Sequence, residues 1–322
     1  MRILVLHADA ASQAPIEEED TLLTARQIGE ALGGRGHAVS LAPMETDFAL
    51  FQRMIGDTRP DVVFNMVEHH MGQDQLSCVA PAYLEKLGIP YTGGGPASIV
   101  ATGDKPFAKQ IMRNAGIPTA DWSEGPLWHG LDPKRRYIVK SSNEDASLGL
   151  DDGAVVLGEA VPARARECFH IHTGRWFAEA FVEGREFNIS VIEAKGDMWV
   201  LPLAEIRFVN WNPAKPRIVG HNAKWRDDSE ESLHTARCFG LETEEPELSA
   251  EITRLARETF KLFGNRGFAR VDFRVDEAGN PLVLEVNPNP ALDPDAGFAM
   301  AALEAGYSYP DILEKIVQAA LP

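Results

Sequence analysis

The segments GFARVDFRV (267–275) and LVLEVNPNP (282–290) decide the fold of this protein, because each is an apolar strand interrupted by charged or amide side chains. Between them, DEAGN (276–280) contains Asp, Gly and Asn, which tolerate the backbone angles of a tight reversal. We therefore predict a β-hairpin over residues 268–288. One face of this hairpin is polar, and that face requires an explanation.

Alternation along the strands divides the hairpin into two faces, since residues two apart project the same way. In the second strand it groups Val283, Glu285 and Asn287 on one face and places Leu284 on the opposite face. In the first strand the polar face carries Arg270, Asp272 and Arg274.

The turn decides which of these polar residues oppose each other. An even-numbered loop centred on residues 278–279 pairs Asp272 with Glu285 and Arg270 with Asn287. Two carboxylates facing each other at ~5 Å are unfavourable unless a cation neutralises them. Oxygen atoms of Asp, Glu and Asn favour a hard cation, Mg²⁺ rather than a transition metal. The alternative is a solvated edge that only keeps the hairpin soluble, and an odd-numbered loop would make the pairs diagonal.

The composition is that of an ordinary soluble globular protein. The chain has 322 residues, 44% of them hydrophobic, and a net charge of −17, which argues against nucleic acid or an anionic membrane as its main partner. Its three cysteines form no CxxC pair, as is typical of a reducing compartment. We see no signal peptide and no apolar run of ~20 residues. We therefore expect a cytoplasmic protein with no nucleic-acid or membrane partner.

The order of elements predicts an α/β beginning and an α+β remainder. ILVLH (3–7) and DVVFNM (61–66) are buried strands around a helix, a βαβ layout that ends at a linker, YTGGGPAS (91–98). Later segments predict strands at 136–142 and 175–182. Further predictions are a helix after Asp104 with Phe107, Ile111 and Met112 on its apolar face, a hairpin turning near 195–197, helices at 249–264 and 309–321, and a surface loop in the acidic stretch 225–247.

Isolated lysines are the candidate phosphate ligands, because Mg²⁺ sites of this kind usually also bind substrate phosphates. The chain has no GxxxxGK[ST] and no GxGxxG motif, which excludes P-loop and Rossmann nucleotide sites. Lys105 starts a predicted helix, where backbone N–H groups add to anion binding. Lys140 ends the strand YIVK, and Lys224 lies in HNAKW.

Five segments, in this order, resemble the ATP-grasp superfamily and within it the D-alanine–D-alanine ligases. They are residues 88–109, 137–150, 177–191, 267–275 and 282–290, and the resemblance covers nearly the whole chain. It implies an α/β N-terminal domain (1–95) followed by two α+β subdomains of an ATP-grasp fold. The central subdomain (96–182) would carry a flexible loop at 141–149, and the C-terminal subdomain (183–322) the metal site.

The resemblance implies a role for each candidate residue. The adenine and ribose contacts would be Ile138, Glu179, Phe181, Val182, Glu186 and Leu284. The phosphate ligands would be Lys105, Lys140 and Lys224. The ligands of two Mg²⁺ ions, with Mn²⁺ as an alternative, would be Asp272, Glu285 and Asn287, while Arg270 would stabilise an oxyanion.

The family's reaction uses ATP to convert a carboxylate to an acyl phosphate, which an amine attacks to form an amide with release of ADP and phosphate. Metal ions and lysines neutralise charge on the transferred phosphoryl group. Arg270 would face the tetrahedral oxyanion, and the loop at 143–149 would exclude water. The resemblance thus implies a carboxylic or amino acid and an amine as substrates and, by analogy, a homodimer.

The substrate side departs from the family's pattern. The family's Gly-Ser-Ser run reads Asp-Ala-Ser here and ends at Ser147. The family's N-terminal catalytic glutamate would fall in EEED (17–20), where Glu19 is favoured over Glu17 and Glu18. Trp225 replaces a tyrosine, and Glu68 stands where the family has His-Gly.

The residues after Asn287 also depart from the family. Ala296 lies near the position of a serine that holds the acceptor carboxylate, beside Asp293 and Asp295. Acids there repel a carboxylate and favour a cationic or neutral group. We therefore expect a ligase whose acceptor is not D-alanine. The alternatives are an authentic D-alanine–D-alanine ligase, a non-catalytic nucleotide-binding protein, and an ATP-grasp kinase or carboxylase.

Overall fold

The computed structural model describes residues 1–8, 16–143, 147–220 and 228–321, and for residues 16–20 it describes the backbone alone. The candidates Glu19, Lys224 and Trp225 therefore lie outside the described side chains. Within these ranges, no helix combines the length and the apolar character needed to cross a membrane.

The first part of the chain forms a parallel three-stranded sheet with the order β2-β1-β3. The predicted strand–helix–strand layout is confirmed, because the two predicted strands pair in parallel. The second strand and the second helix were missed, since that strand lies at an edge and its exposed residues interrupt any apolar run. The elements are β1 (Arg2–His7), α1 (Ile16–Gly34), β2 (Ala38–Pro43), α2 (Phe48–Thr58), β3 (Val62–Met66) and α3 (Val79–Leu87).

The predicted linker at 91–98 is wrong, because its first half is buried and its second half begins helix α4 (Pro96–Thr102). The Gly94 N–H donates to the Pro288 carbonyl oxygen at 3.0 Å. A Cβ at Gly94 would lie 2.7 Å from the Pro288 Cβ. The glycine therefore allows the backbone to pack against the residue that follows Asn287.

The central part forms an antiparallel sheet with the order β4-β7-β5-β6. Helix α6 covers one face of this sheet with Val161, Ala165 and Cys168. The elements are α5 (Lys105–Asn114), β4 (Trp122–Glu124), β5 (Arg136–Ser141), β6 (Val155–Leu157), α6 (Val161–His172) and β7 (Trp176–Ala180).

The last part contains a six-stranded antiparallel sheet with the order β11-β10-β8-β12-β13, and β9 also pairs with β8. Its strands are β8 (Gly184–Ala194), β9 (Asp197–Val200), β10 (Ala204–Phe208), β11 (Thr235–Cys238), β12 (Gly267–Asp276) and β13 (Pro281–Asn287). Its helices are α7 (Glu230–Leu233), α8 (Leu241–Glu244), α9 (Pro246–Leu262), α10 (Gly297–Glu304) and α11 (Tyr309–Ala319).

The acidic stretch 225–247 was predicted as a surface loop, and that prediction is wrong. From residue 228 onward it contains α7, β11 and α8, and β11 pairs with β10. The apolar pattern was weak because β11 is an edge strand with Arg237 in its middle. The hairpin turn near 195–197 is confirmed by the pairing of β8 with β9.

Helices α10 and α11 return to the start of the chain and join its two ends in one core. Phe298 and Ile312 pack in the same buried cluster as Ile28 of α1 and Phe64 of β3. Phe268 of β12 belongs to this cluster too. The strand that carries the polar face therefore shares one core with the N-terminal sheet.

The hairpin pairs Asp272 with Glu285 and Arg270 with Asn287, as predicted. The premise about the loop is nevertheless wrong, because the Asp276 N–H donates to the Asn280 oxygen at 3.1 Å around an odd-numbered loop, residues 277–279. The register shifts after Asp272, where Leu284 is an extra residue in β13. This β-bulge restores the predicted pairs.

Candidate active site

A cavity of about 740 Å³ lies between the central and C-terminal sheets. It brings together most of the candidate residues, while Glu68 is exposed after β3 and is not part of the lining. The candidates that line the cavity are Lys105, Ile138, Lys140, Ser147, Glu179, Phe181, Val182, Glu186, Arg270, Asp272, Leu284, Glu285, Asn287, Asp293 and Asp295.

The paired carboxylates of β12 and β13 form the acidic wall of this cavity. Arg270 binds Asp272 through both of its oxygens, with Nε at 2.8 Å and a terminal nitrogen at 2.7 Å. Glu285 and Asn287 follow on the partner strand, so the donor set consists of oxygen atoms. Such a set fits a hard divalent cation, because hard cations prefer oxygen ligands. Arg270 supplies only one positive charge to the two facing carboxylates, so a further cation would be stabilised there.

The bulge at Leu284 changes which side chains of β13 face the cavity, so the predicted faces of this strand are partly wrong. Val283 was placed beside Glu285, but it is fully buried in the core and does not line the cavity. Leu284 lines the cavity together with Glu285, although strict alternation would separate them. The extra residue therefore allows an apolar side chain and an acidic one to face the same space.

An apolar slot lies at one end of the cavity. Ile138 of β5 packs against Ile218, and Leu150 and Phe181 complete the cluster. Arg274 of β12 lies over the Phe181 ring at 5.7 Å. Leu284 also lines the cavity, and a flat apolar ring system would fit against these hydrocarbon and aromatic side chains.

Arg274 is a cavity residue whose role the sequence analysis did not recognise. It is buried and forms an ion pair with Glu186 at 3.2 Å. It also donates to the Gly184 carbonyl oxygen at 3.2 Å and to the Arg217 carbonyl oxygen. Burial raises the pKa of Glu186, and the negative charge of Asp272 adds to the effect against the opposing charge of Arg274.

Replacing Arg274 by methionine is expected to lower the free energy of unfolding by about 2 kcal/mol, because it leaves Glu186 without its cation. The loss is smaller than for a fully enclosed pair, since Glu186 lines the cavity and its side chain is 12% exposed. Urea denaturation at pH 7 measures it. Arg254→Met is the control, because Arg254 pairs with Glu251 and Glu258 on an exposed helix face and should change the midpoint little. Equal midpoints for the two variants would contradict the prediction.

Two lysines carry positive charge into the cavity from the central part. Lys105 occupies the first turn of α5, where the Asp104 side chain caps the helix by accepting from the Phe107 N–H at 3.1 Å. Lys140 extends from the end of β5, and its Nζ lies 3.5 Å from a Glu179 oxygen. Both lysines line the cavity, so they place positive charge where an anionic group would bind.

Glu179 is held by a buried cation that the sequence analysis missed. The Lys109 Nζ lies 2.8 Å from the second Glu179 oxygen, and both side chains are almost fully buried. The prediction put Phe107 on the apolar face of α5, but Phe107 is exposed and Lys109 faces inward. The helical spacing gave no signal for the burial of Lys109, because a lysine is rarely buried without a partner. That partner, Glu179, lies on a distant strand.

The far end of the cavity carries charges of both signs. The Asp295 N–H donates to the Asp293 side chain at 3.1 Å. Arg237 of β11 lines the same end and donates to the Asp295 carbonyl oxygen at 3.2 Å. Its surroundings lower the pKa of Arg237, first by desolvation and then by the positive charge of Arg270. Arg237 was missed because the segment was predicted as a loop.

Ser147 belongs to the predicted closing loop. Its backbone has a positive φ of 62°. Its hydroxyl donates to the Val219 carbonyl oxygen at 3.3 Å, and it lines the cavity. The rest of the predicted closing loop includes residues 144–146, which lie outside the described residues.

Comparison with known proteins finds one matching family model and many relatives. The model of the D-ala D-ala ligase C-terminus matches residues 134–318. A D-alanine–D-alanine ligase of Erythrobacter litoralis is 31% identical, with 95% of this chain and 90% of that protein covered. A D-alanine–D-alanine ligase of Carboxydothermus hydrogenoformans is 30% identical, with 95% of both chains covered.

Solved structures match the fold over nearly the full length. A D-alanine–D-alanine ligase of Bacillus anthracis, solved in complex with ATP, superposes with a TM-score of 0.76 at 22% identity, covering 99% of this chain and 97% of that one. The D-alanine–D-alanine ligase of Coxiella burnetii gives a TM-score of 0.71 at 19% identity, covering 99% and 93%.

Proposed function

The chain belongs to the D-alanine–D-alanine ligase family of ATP-grasp enzymes, and from this premise we propose that it joins a carboxylic acid to an amine other than D-alanine through an acyl phosphate. The predicted resemblance and the ATP-grasp fold are confirmed. The enzyme is an ATP-dependent ligase that forms a C–N bond. Its individual site residues and its substrates are proposals.

The apolar slot would hold the adenine ring of ATP between Ile138 and Leu284. The backbone at Phe181 and Val182 and the Glu179 carboxylate lie along the same wall of the cavity and would contact the polar edge of the base. Glu186, held by Arg274, would bind the ribose. Lys105 and Lys140 would bind the phosphates, with Lys224 as a third ligand.

Asp272, Glu285 and Asn287 would hold Mg²⁺, in the form of two ions, with Mn²⁺ as an alternative. The bound cation would neutralise charge on the transferred phosphoryl group. Arg270 would keep Asp272 oriented through its two hydrogen bonds. The same guanidinium would stabilise the oxyanion when the amine attacks.

We place the acceptor at the far end of the cavity, beside Asp293, Asp295 and Arg237. The charges of these residues support the proposal of an amine other than D-alanine. Arg237 would pair with the carboxylate of any amino acid acceptor, so the preference depends on the two acids, to which the methyl side chain of D-alanine offers no partner. An acceptor with a cationic or hydrogen-bonding group would pair with Asp293. Glu19, Glu68, Ser147 and Trp225 remain candidates for contacts to the substrates, and the homodimer remains a prediction.

An authentic D-alanine–D-alanine ligase is the second candidate, because relatives with that name match nearly the whole chain. A non-catalytic nucleotide-binding protein is the third. Arg270, Asp272, Glu285 and Asn287 together line the cavity, and this favours an enzyme over a binder. A binder needs neither an oxyanion donor nor a complete set of metal ligands.

Release of ADP tests this proposal with ATP, Mg²⁺ and a panel of D- and L-amino acids and diamines. We expect at least one acceptor to give a kcat/KM about 10-fold or more above that of D-alanine, because one charge-assisted hydrogen bond to the acceptor contributes at least this factor. Asp293→Asn should lower that preference without changing the KM for ATP. Product mass separates a ligase from a kinase or carboxylase. Robust turnover with D-alanine as sole substrate would reject the proposed acceptor.

A further inference from the structure

We propose that Lys109 is a positioning residue that holds the Glu179 carboxylate charged and oriented, so that the nucleotide site selects adenine over an oxo-purine such as hypoxanthine. This inference rests on the proposed function, because it assigns the adenine edge to Glu179. Lys109 itself does not line the cavity, whereas Glu179 does. Lys109 therefore acts through its contact with Glu179.

The geometry around Lys109 holds its ammonium group at one place. The side chain is fully buried, and its Nζ lies 2.8 Å from Glu179 Oε2. The same Nζ donates to Thr119 Oγ1 at 2.7 Å. The Thr119 hydroxyl in turn donates to the Val283 carbonyl oxygen of β13 at 2.7 Å. One ammonium thus links α5, the adenine wall at β7 and the strand that carries Glu285.

The two oxygens of Glu179 have different cations. Oε2 faces Lys109, and Oε1 lies 3.5 Å from the Lys140 Nζ. Lys140 belongs to the cavity and is proposed to bind phosphate, so its charge is shared with the nucleotide. Lys109 is enclosed, and its charge remains with Glu179 whether or not the cavity is filled.

The charge on Glu179 decides which base it recognises. Adenine presents an exocyclic amino group, which donates a hydrogen bond to a carboxylate. Hypoxanthine has a carbonyl oxygen at that position, and a carboxylate repels it. A protonated Glu179 loses this discrimination, because its O–H donates to the carbonyl oxygen.

The surrounding charges favour the carboxylate form. Burial alone raises the pKa of Glu179, but the positive charges of Lys109 and Lys140 outweigh it and lower the pKa. Burial lowers the pKa of Lys109, while Glu179 and, more weakly, Glu285 of β13 oppose that effect. Without Lys109, burial would dominate and Glu179 would take up a proton at a higher pH.

Affinities for ATP and ITP between pH 6 and pH 9 test the inference by calorimetric titration with Mg²⁺. The wild type should prefer ATP by a ratio that is constant over this range, because its Glu179 stays ionised. In Lys109→Met the preference should fall about 10-fold at pH 6 and recover as pH rises through the raised pKa of Glu179. Lys86→Met, at an exposed position in α3, is the control and should behave as the wild type.

The outcomes separate this inference from the proposed function. A wild type that binds neither nucleotide would reject the ATP site itself. If Lys109→Met weakens ATP and ITP equally at every pH, Lys109 is only a structural brace and the inference is overturned. Should Lys109→Met fail to fold, Thr119→Val keeps the charge but removes the oxygen that fixes it, and should lower the preference about 3-fold. An unchanged ratio in Thr119→Val would then overturn the inference.

Discussion

Replacing Glu285 by glutamine is expected to lower kcat about 1,000-fold while the protein stays folded. Glu285 faces Asp272 across the hairpin and lines the cavity. The substitution removes one of the two negative charges that would hold the divalent cation, and the loss of about 4 kcal/mol of transition-state stabilisation corresponds to this factor. The half-saturating Mg²⁺ concentration should rise at least ~10-fold, because a neutral amide is a weaker ligand than a carboxylate.

Release of ADP over a range of Mg²⁺ concentrations measures both effects. Glu277→Gln is the matched control, because it makes the same change in the exposed turn of the same hairpin and should leave kcat unchanged. Thermal unfolding should show no loss of stability in Glu285→Gln, since the substitution also relieves repulsion from Asp272. A kcat within ~10-fold of wild type at saturating Mg²⁺ would mean that Glu285 is not a metal ligand.

Gly184→Ala is expected to lower the free energy of unfolding by about 4 kcal/mol, as the sum of overpacking and an unfavourable backbone conformation. Gly184 has a φ of 140°, and a Cβ there would lie 2.0 Å from the Val275 carbonyl oxygen. This oxygen cannot move away easily, because β8 and β12 are paired along ten consecutive positions from Gly184 to Glu193. The shift should also weaken ATP binding, since Val182 and Glu186 flank the glycine in the cavity wall.

Urea denaturation measures this loss, and Gly196→Ala is the control. Gly196 also has a positive φ, 84°, but a Cβ there meets nothing within 4 Å. It should therefore show only the backbone penalty of about 1 kcal/mol. Equal midpoints for the two variants would mean that the contact at Gly184 is relieved by a small backbone movement.

The pairs of the polar hairpin could be predicted because they depend on local chain geometry. Alternation along β12 places Arg270, Asp272 and Arg274 on the cavity side, and the structure has them there. The prediction of the loop was wrong, yet the bulge at Leu284 compensated for it. A turn sequence such as DEAGN restricts the reversal but does not decide between an even and an odd loop.

The remaining errors concern residues whose environment is made by distant segments. Gly94 was assigned to a linker, but it packs against Pro288. Lys109 followed no apolar pattern, because its burial depends on Glu179, which lies far along the chain. Arg237 reaches the cavity only because β11 joins the edge of a sheet.

By itself, the sequence determined the hairpin, the alternation that gathers its polar face, and the lysines at the ends of local elements. These features depend on residues a few positions apart, whose relative directions follow from the period of a strand or helix. Only the tertiary structure decided that a bulge lets Leu284 share the cavity with Glu285, that Lys109 holds Glu179, and that Arg237 joins Asp293 and Asp295. Burial, charge pairing and close backbone contact arise between segments far apart in the chain, and local periodicity contains no information about them.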